Sequence, residues 1–112
     1  MNDPSREPTG TDELRLLRQA IDDLDLRLVD LLAQRLDLAR RTTAPKHRAG
    51  LPVQDLAREA EVVRRAADAA RDRGLDPEPI RDIYWRLVDL ARRAQEGAAP
   101  SPGGGGCIGA RP

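Results

Sequence analysis

One run of amphipathic periodicity, longer than the body that can be built around it, sets the strongest limit on this 112-residue chain. Leu14, Leu17, Ile21, Leu24, Leu28, Leu31, Leu32, Leu38 and Ala39 recur at helical spacing. Thr11, followed by Asp12, Glu13 and Leu14, reads as the N-cap of this helix, which extends to about Thr43. At 1.5 Å per residue the helix is roughly 48 Å long, whereas a compact body of about 85 residues has a radius of gyration near 12 Å and a diameter of about 30 Å. The helix overhangs its own domain, and its apolar sector must be covered along its whole length. Only a second copy does that. The expected architecture is all-α, with three helices per chain, one of them long, in an intertwined helical homodimer.

Two shorter helices follow the long one. Pro45 to Val53 contains Pro, Gly and Pro and is expected to be a loop. Asp55 then caps a second helix reaching about Arg73, which Gly74 ends. Asp76-Pro77, a cap followed by proline at the first helical position, opens a third helix through Ile80, Ile83, Tyr84, Leu87, Val88, Leu90, Ala91 and Ala94, with Trp85 facing away from that stripe. There is no strand-like alternation and no internal repeat. Residues 1–11 are polar with two prolines, and residues 97–112 (GAAPSPGGGGCIGARP) are Gly/Pro-rich without periodicity, so neither offsets its own ordering entropy. Both are expected to be disordered, which leaves a helical domain over 12–96. Cys107 falls in the tail, does not fit a prenylation ending and reads as a bystander.

Composition removes several classes of function. The 19 basic and 19 acidic residues cancel, so no net field gathers nucleic acid or an anionic membrane. Any anion must be held by local placement. No apolar run approaches the roughly 18–20 residues of a membrane span, and the opening MNDPSREPTG lacks the pattern of a signal peptide, so a cytoplasmic protein is expected. A single cysteine excludes an internal disulfide, and with only His47 beside it no metal-ligand cluster or Ser-His-Asp arrangement can be assembled.

The informative residues are charges inside apolar faces. Arg18, Asp25 and Arg35 fall within the apolar sector of the first helix, and burying a guanidinium without a partner costs several kcal/mol. Each Arg therefore needs an anion, either a side-chain carboxylate such as Asp25 or a bound anionic ligand. Lys46 is the only lysine in a chain that otherwise uses arginine, and an ammonium is a compact point donor not interchangeable with a guanidinium fork. It lies eleven residues after Arg35, about three helical turns or ~16 Å along the axis. Two long side chains leaning inward from there grip one small dianion; chance use of a single Lys is the alternative. Asp55, Arg58 and Glu59 share one face at the start of the second helix, as a binding cluster or as a plain cap with solvated neighbours. Gln95 continues the stripe of Tyr84, Val88 and Ala91, where a buried amide needs partners and a frayed terminal one does not.

Together these residues resemble the all-helical chorismate mutases, over residues 14–95. LRLLRQAIDDLDLRLVDLLAQRLDLA is similar to that family's first helix, in which one Arg precedes Ile-x-x-[Leu/Ile]-Asp and a second follows Leu-Leu-Ala-x; Arg18 and Arg35 match them. Lys46 matches the family lysine at its spacing from the second Arg. LPVQDLAREAEV resembles Pro-[Val/Ile]-x-Asp-x-x-Arg-Glu, which puts Asp55, Arg58 and Glu59 on binding positions, and Gln95 matches the Gln or Glu near the end of the third helix. The resemblance implies an intertwined dimer with two active sites, each including the first Arg of the partner chain. The spacing of Arg18 and Arg35, about 25 Å along one helix, fits that arrangement, because it is too long for both to hold one small molecule within one subunit.

The implied reaction is the Claisen rearrangement of chorismate to prephenate, which needs no nucleophile, metal, cofactor or proton transfer. Catalysis then consists of holding the folded conformer and stabilising charge on the breaking ether oxygen. By resemblance, Arg18 from the partner chain, Arg35 and Arg58 hold the two carboxylates, Lys46 and Gln95 donate to the ether oxygen, and Asp55 and Glu59 face the substituent at ring carbon 4. Ala91 stands where several relatives carry Ser, so that only its backbone contributes. Pro45 sits where the family usually continues its long helix and is expected to place Lys46 on a loop, as in the related isochorismate-pyruvate lyases. A mutase for the 4-amino analogue of chorismate, such a lyase, and a non-catalytic helical dimerisation or regulatory module are the competing readings. The last expects the polar positions to have decayed, and they are retained. On a partner enzyme docking at the tail the sequence is silent.

Overall fold

The computed structural model describes residues 9–98, and within them every regular element is helical: α1 (Gly10–Arg41), α2 (Thr43–Arg48), α3 (Leu56–Asp72) and α4 (Pro77–Ala98). The expected disorder of residues 1–8 and 99–112, and Cys107 with it, lies outside the described residues. Residues 9–11, expected to be disordered, are instead a cap and a first turn. The N-cap is Thr9 rather than Thr11: its Oγ1 accepts from Asp12 N–H at 3.1 Å, and Asp12 Oδ2 accepts from Thr9 N–H at 3.5 Å. Such a box satisfies two orphan donors at once, more than a lone threonine offers. At the other end α4 runs on through Gly97 to Ala98.

A second correction concerns the break after α1, which ends at Arg41 rather than Thr43. Residues 43–48 form a short fourth helix where a loop was expected. Pro45 is the third residue of α2, within the first turn, where a backbone N–H has no intrahelical partner and its loss costs nothing. The proline therefore interrupts α1 yet is compatible with α2, and Lys46 is carried on a helix. Gly50, at φ 71°, closes it: Leu51 N–H donates to Lys46 O at 2.9 Å and Gly50 N–H to His47 O at 3.1 Å.

The ends of α3 and α4 follow the expected local rules. Asp55 caps α3 by accepting from Arg58 N–H at 3.0 Å, and Asp76 caps α4 by accepting from Glu78 N–H at 3.0 Å with Pro77 at the first helical position. Gly74, at φ 74°, ends α3, with Leu75 N–H on Ala70 O at 2.8 Å and Gly74 N–H on Arg71 O at 3.0 Å. Nothing lies within 4 Å of a Cβ built there, so a side chain meets only backbone strain. Gly74→Ala is expected to cost about 1–2 kcal/mol. It should lower the urea midpoint at fixed protein concentration with an unchanged slope, whereas Gly97→Ala, in a helix with open space around it, should raise the midpoint.

The chain divides into two units, one ending at Gln34 and one beginning at Arg35. In the second, α3 packs on α4, and the buried apolar side chains are Val63, Ala67, Ala70 and Val88. Small residues on α3 allow the two helices to approach closely, but four such side chains are a small core for a body of this size. In the first unit the helix stands with its apolar stripe bare: Leu14, Leu17, Ile21, Leu24, Leu28 and Leu31 are 46% to 63% exposed, and no residue of α1 is buried. In proteins most helical stability comes from packing an amphipathic face, and along this stripe that packing is missing. Among the described residues no helix is long and apolar enough to cross a membrane.

Candidate active site

The C-terminal end of α1, α2, the loop before α3, and the facing sides of α3 and α4 surround a cavity of about 380 Å³, within the range of small-molecule sites. Arg35, Lys46, Asp55, Arg58, Glu59, Ala91 and Gln95 all line it. Thus seven of the residues singled out by sequence come together, from four helices and one cap. Arg18 does not line this cavity. It lies in the first unit, in a shallow depression with Arg15, Gln19 and Asp22.

The cations of the cavity differ in how they are held. Arg35 has no carboxylate within 4 Å among the described residues, Asp25 included, and its guanidinium carbon stands 6.0 Å from the centre of the Tyr84 ring. That contact orients the guanidinium without neutralising it. Lys46 likewise lacks a carboxylate, and its Nζ donates to Val53 O at 2.6 Å, tying α2 to the loop that leads into α3. One of its three donors is used, which leaves two. Arg58 forms an ion pair with Glu61 one turn further along α3, on an exposed face. A ligand carboxylate has to compete with Glu61 for it.

The acceptors and the amide are also already engaged. One Asp55 oxygen serves the α3 cap, as the plain reading of that residue expected, and the other is left over. Gln95 Nε2 donates to Ala39 O at 3.2 Å and to Thr42 Oγ1 at 2.9 Å, while Thr42 Oγ1 donates to Ala39 O at 2.7 Å. This small network fixes the amide with its N–H groups toward the end of α1, since a flipped amide sets its oxygen against the Ala39 carbonyl. An oxygen of a ligand accepting from Gln95 takes over one of those two contacts.

Two participants escaped the sequence reading. Thr42 orients Gln95, and no spacing rule connects two residues so far apart in the chain. Arg92 pairs with Glu59 across the α3–α4 interface, Nη2 to Oε1 at 2.7 Å. Arg92 stands three residues before Gln95 and so shares its helix face, which was the available signal.

The sequence profile of chorismate mutase type II matches residues 17–96. The chain is 38% identical over 76 residues to the T-protein of Enterobacter agglomerans, covering 68% of this chain but only 20% of that protein. It is 38% identical over 88 residues to the 4-amino-4-deoxychorismate mutase of Streptomyces venezuelae, covering 79% of this chain and 85% of the relative. To the 4-amino-4-deoxychorismate mutase of Streptomyces pristinaespiralis it is 33% identical over 105 residues, 88% of this chain and 81% of the relative. No solved structure matches the chain.

Proposed function

We propose that this chain, which belongs to the chorismate mutase type II family, rearranges chorismate to prephenate as a cytoplasmic homodimer with two active sites. The observation that carries this reading is a pair of cations without carboxylate partners among the described residues, Arg35 and Lys46, lining one cavity with Arg58, Gln95, Asp55 and Glu59. Cations left without a partner in a cavity of this size are suited to a small dianion.

In the rearrangement the ether C–O bond breaks while a C–C bond forms, and no proton moves. Arg35 and Arg58 hold the two carboxylates, with Arg18 of the partner subunit completing the grip. Lys46 and Gln95 donate to the ether oxygen, whose negative charge grows toward the transition state. Asp55 and Glu59 receive the substituent at ring carbon 4, and Ala91, which lines the same cavity, contributes through its backbone. The bare apolar stripe of α1 supports the dimer, because covering it supplies the burial that each chain lacks and antiparallel pairing brings Arg18 of one copy to Arg35 of the other.

A second reading has specific support. Two relatives that this chain matches over most of their length are named 4-amino-4-deoxychorismate mutases, and two carboxylates near ring carbon 4, taken by themselves, suit an amino group as well as a hydroxyl. The lyase reading loses its motive, since Lys46 sits on α2 with its Nζ on Val53 O and not on a loop. Incubating the purified protein with chorismate, its 4-amino analogue and isochorismate, and identifying the products, tests all three. Prephenate from chorismate is expected. Pyruvate release from isochorismate as the dominant activity, or no product from any of the three, overturns the proposal.

A further inference from the structure

The rearrangement as described leaves one cation of the cavity without a task. Arg92 reaches from α4 to α3 and holds Glu59 at two points, Nη2 to Oε1 at 2.7 Å and Nε to Oε2 at 3.4 Å. The Glu59 side chain is 15% exposed and that of Arg92 33%, so water shields this pair less than the helix-surface pairs of Arg58, Arg71 and Arg93. The hydrogen bond to Glu59 raises the Arg92 pKa further above its already high ordinary value. Its charge is therefore permanent at any working pH.

We propose that Arg92 is a specificity-determining residue, which by neutralising Glu59 makes the site prefer a hydroxyl over an ammonium at ring carbon 4 of the substrate. The proposal rests on the reading of the cavity as a mutase site. A carboxylate oxygen has more than one lone pair, so Glu59 forked by Arg92 still accepts a hydrogen bond from a neutral hydroxyl. An ammonium needs more than an acceptor. It needs uncompensated negative charge, and Glu59 no longer offers it.

The rest of the wall makes up only part of the difference. The cavity is lined by the cations Arg35, Lys46, Arg58 and Arg92 against Asp55 and Glu59, and Asp55, with one oxygen committed to the cap of α3, has a single oxygen left to offer. The two carboxylates of the substrate match that excess of positive charge. A cationic group at ring carbon 4, seated against Glu59, sits one side chain away from the Arg92 guanidinium and is repelled by it. Removing the charge at position 92 frees Glu59 as an anion and removes the repulsion together, and both changes favour the amino substrate.

The test is the ratio of kcat/KM for 4-amino-4-deoxychorismate to that for chorismate, measured on the full-length wild type and on Arg92→Gln, Arg92→Met and Arg92→Lys. Folding of each variant is checked by circular dichroism. Either neutral variant should shift the ratio toward the amino substrate by about tenfold or more, the scale expected of two like charges about 6 Å apart after allowance for solvent screening. Arg92→Lys keeps the charge and should stay within about threefold of the wild-type ratio. The Met variant keeps the apolar stem and decides the matter should the Gln variant not fold. A purely structural role for Arg92 lowers both kcat/KM values in parallel; an unchanged ratio in a folded neutral variant therefore overturns the proposal. Absence of wild-type turnover on both substrates overturns the mutase reading itself and this proposal with it.

Discussion

Arg35→Ala should lower kcat/KM by roughly 30-fold to several-thousand-fold, the range that corresponds to about 2–5 kcal/mol for a desolvated charge contact to a carboxylate. Among the described residues Arg35 has no carboxylate partner, so its removal breaks no ion pair there and the loss falls on the ligand. Arg18→Ala should give a loss of similar size although Arg18 does not line the cavity of its own chain. The two defects complement each other. In a heterodimer of the two variants, one site receives both native arginines and the other receives neither. Random exchange of equal amounts makes half of the dimers mixed, so about one quarter of wild-type activity should return. Confirmed exchange with no recovery would show that the site is not shared between subunits.

Much of this site was legible because its residues obey local rules. Arg35 and Lys46 lie about three turns apart, and that interval survives the break at Thr42 because the chain re-enters a helix at once. Asp55, Arg58 and Glu59 were readable together because a cap and the turn after it form one geometric unit. Gly74 and Asp76-Pro77 announced the end of one helix and the start of the next for the same reason. Pro45 misled. By the sequence rule it ends helical structure, whereas in the first turn of α2 it only sets where the break falls. What local rules cannot reach is contact between helices: Arg92 on Glu59 and Gln95 on Thr42 depend on how α4 lies against its neighbours, and no interval along the chain encodes that. The proposed homodimer is a different case. Its motive, an apolar sector too long to cover, was visible in the periodicity, and the bare stripe from Leu14 to Leu31 restates it in three dimensions.

Replacing Lys46 or Gln95 should separate binding from chemistry. In the proposed function both donate to the ether oxygen, where charge develops only as the bond breaks, so their loss should fall on kcat more than on KM. Lys46→Ala should therefore lower kcat far more than it raises KM. Wild-type kcat/KM should be nearly flat from about pH 6 to 8, because no proton moves in the rearrangement and an amide donates at every pH. Gln95→Glu should change that profile. The amide donates to Ala39 O at 3.2 Å and Thr42 Oγ1 at 2.9 Å, and an ionised carboxylate in its place confronts the Ala39 carbonyl with like partial charge. Only the protonated acid donates there or to the substrate, so the introduced carboxyl has a folded pKa above its unfolded value near 4.3. The folded variant then binds the extra proton between those two values. Stability as well as activity should fall as pH rises through that window and be fully present below it. Parallel acid dependence of kcat/KM and of the unfolding midpoint in Gln95→Glu, absent from the wild type, is the expected signature. An unchanged profile in that variant would mean that Gln95 holds α4 to the end of α1 and does not donate to the reacting oxygen.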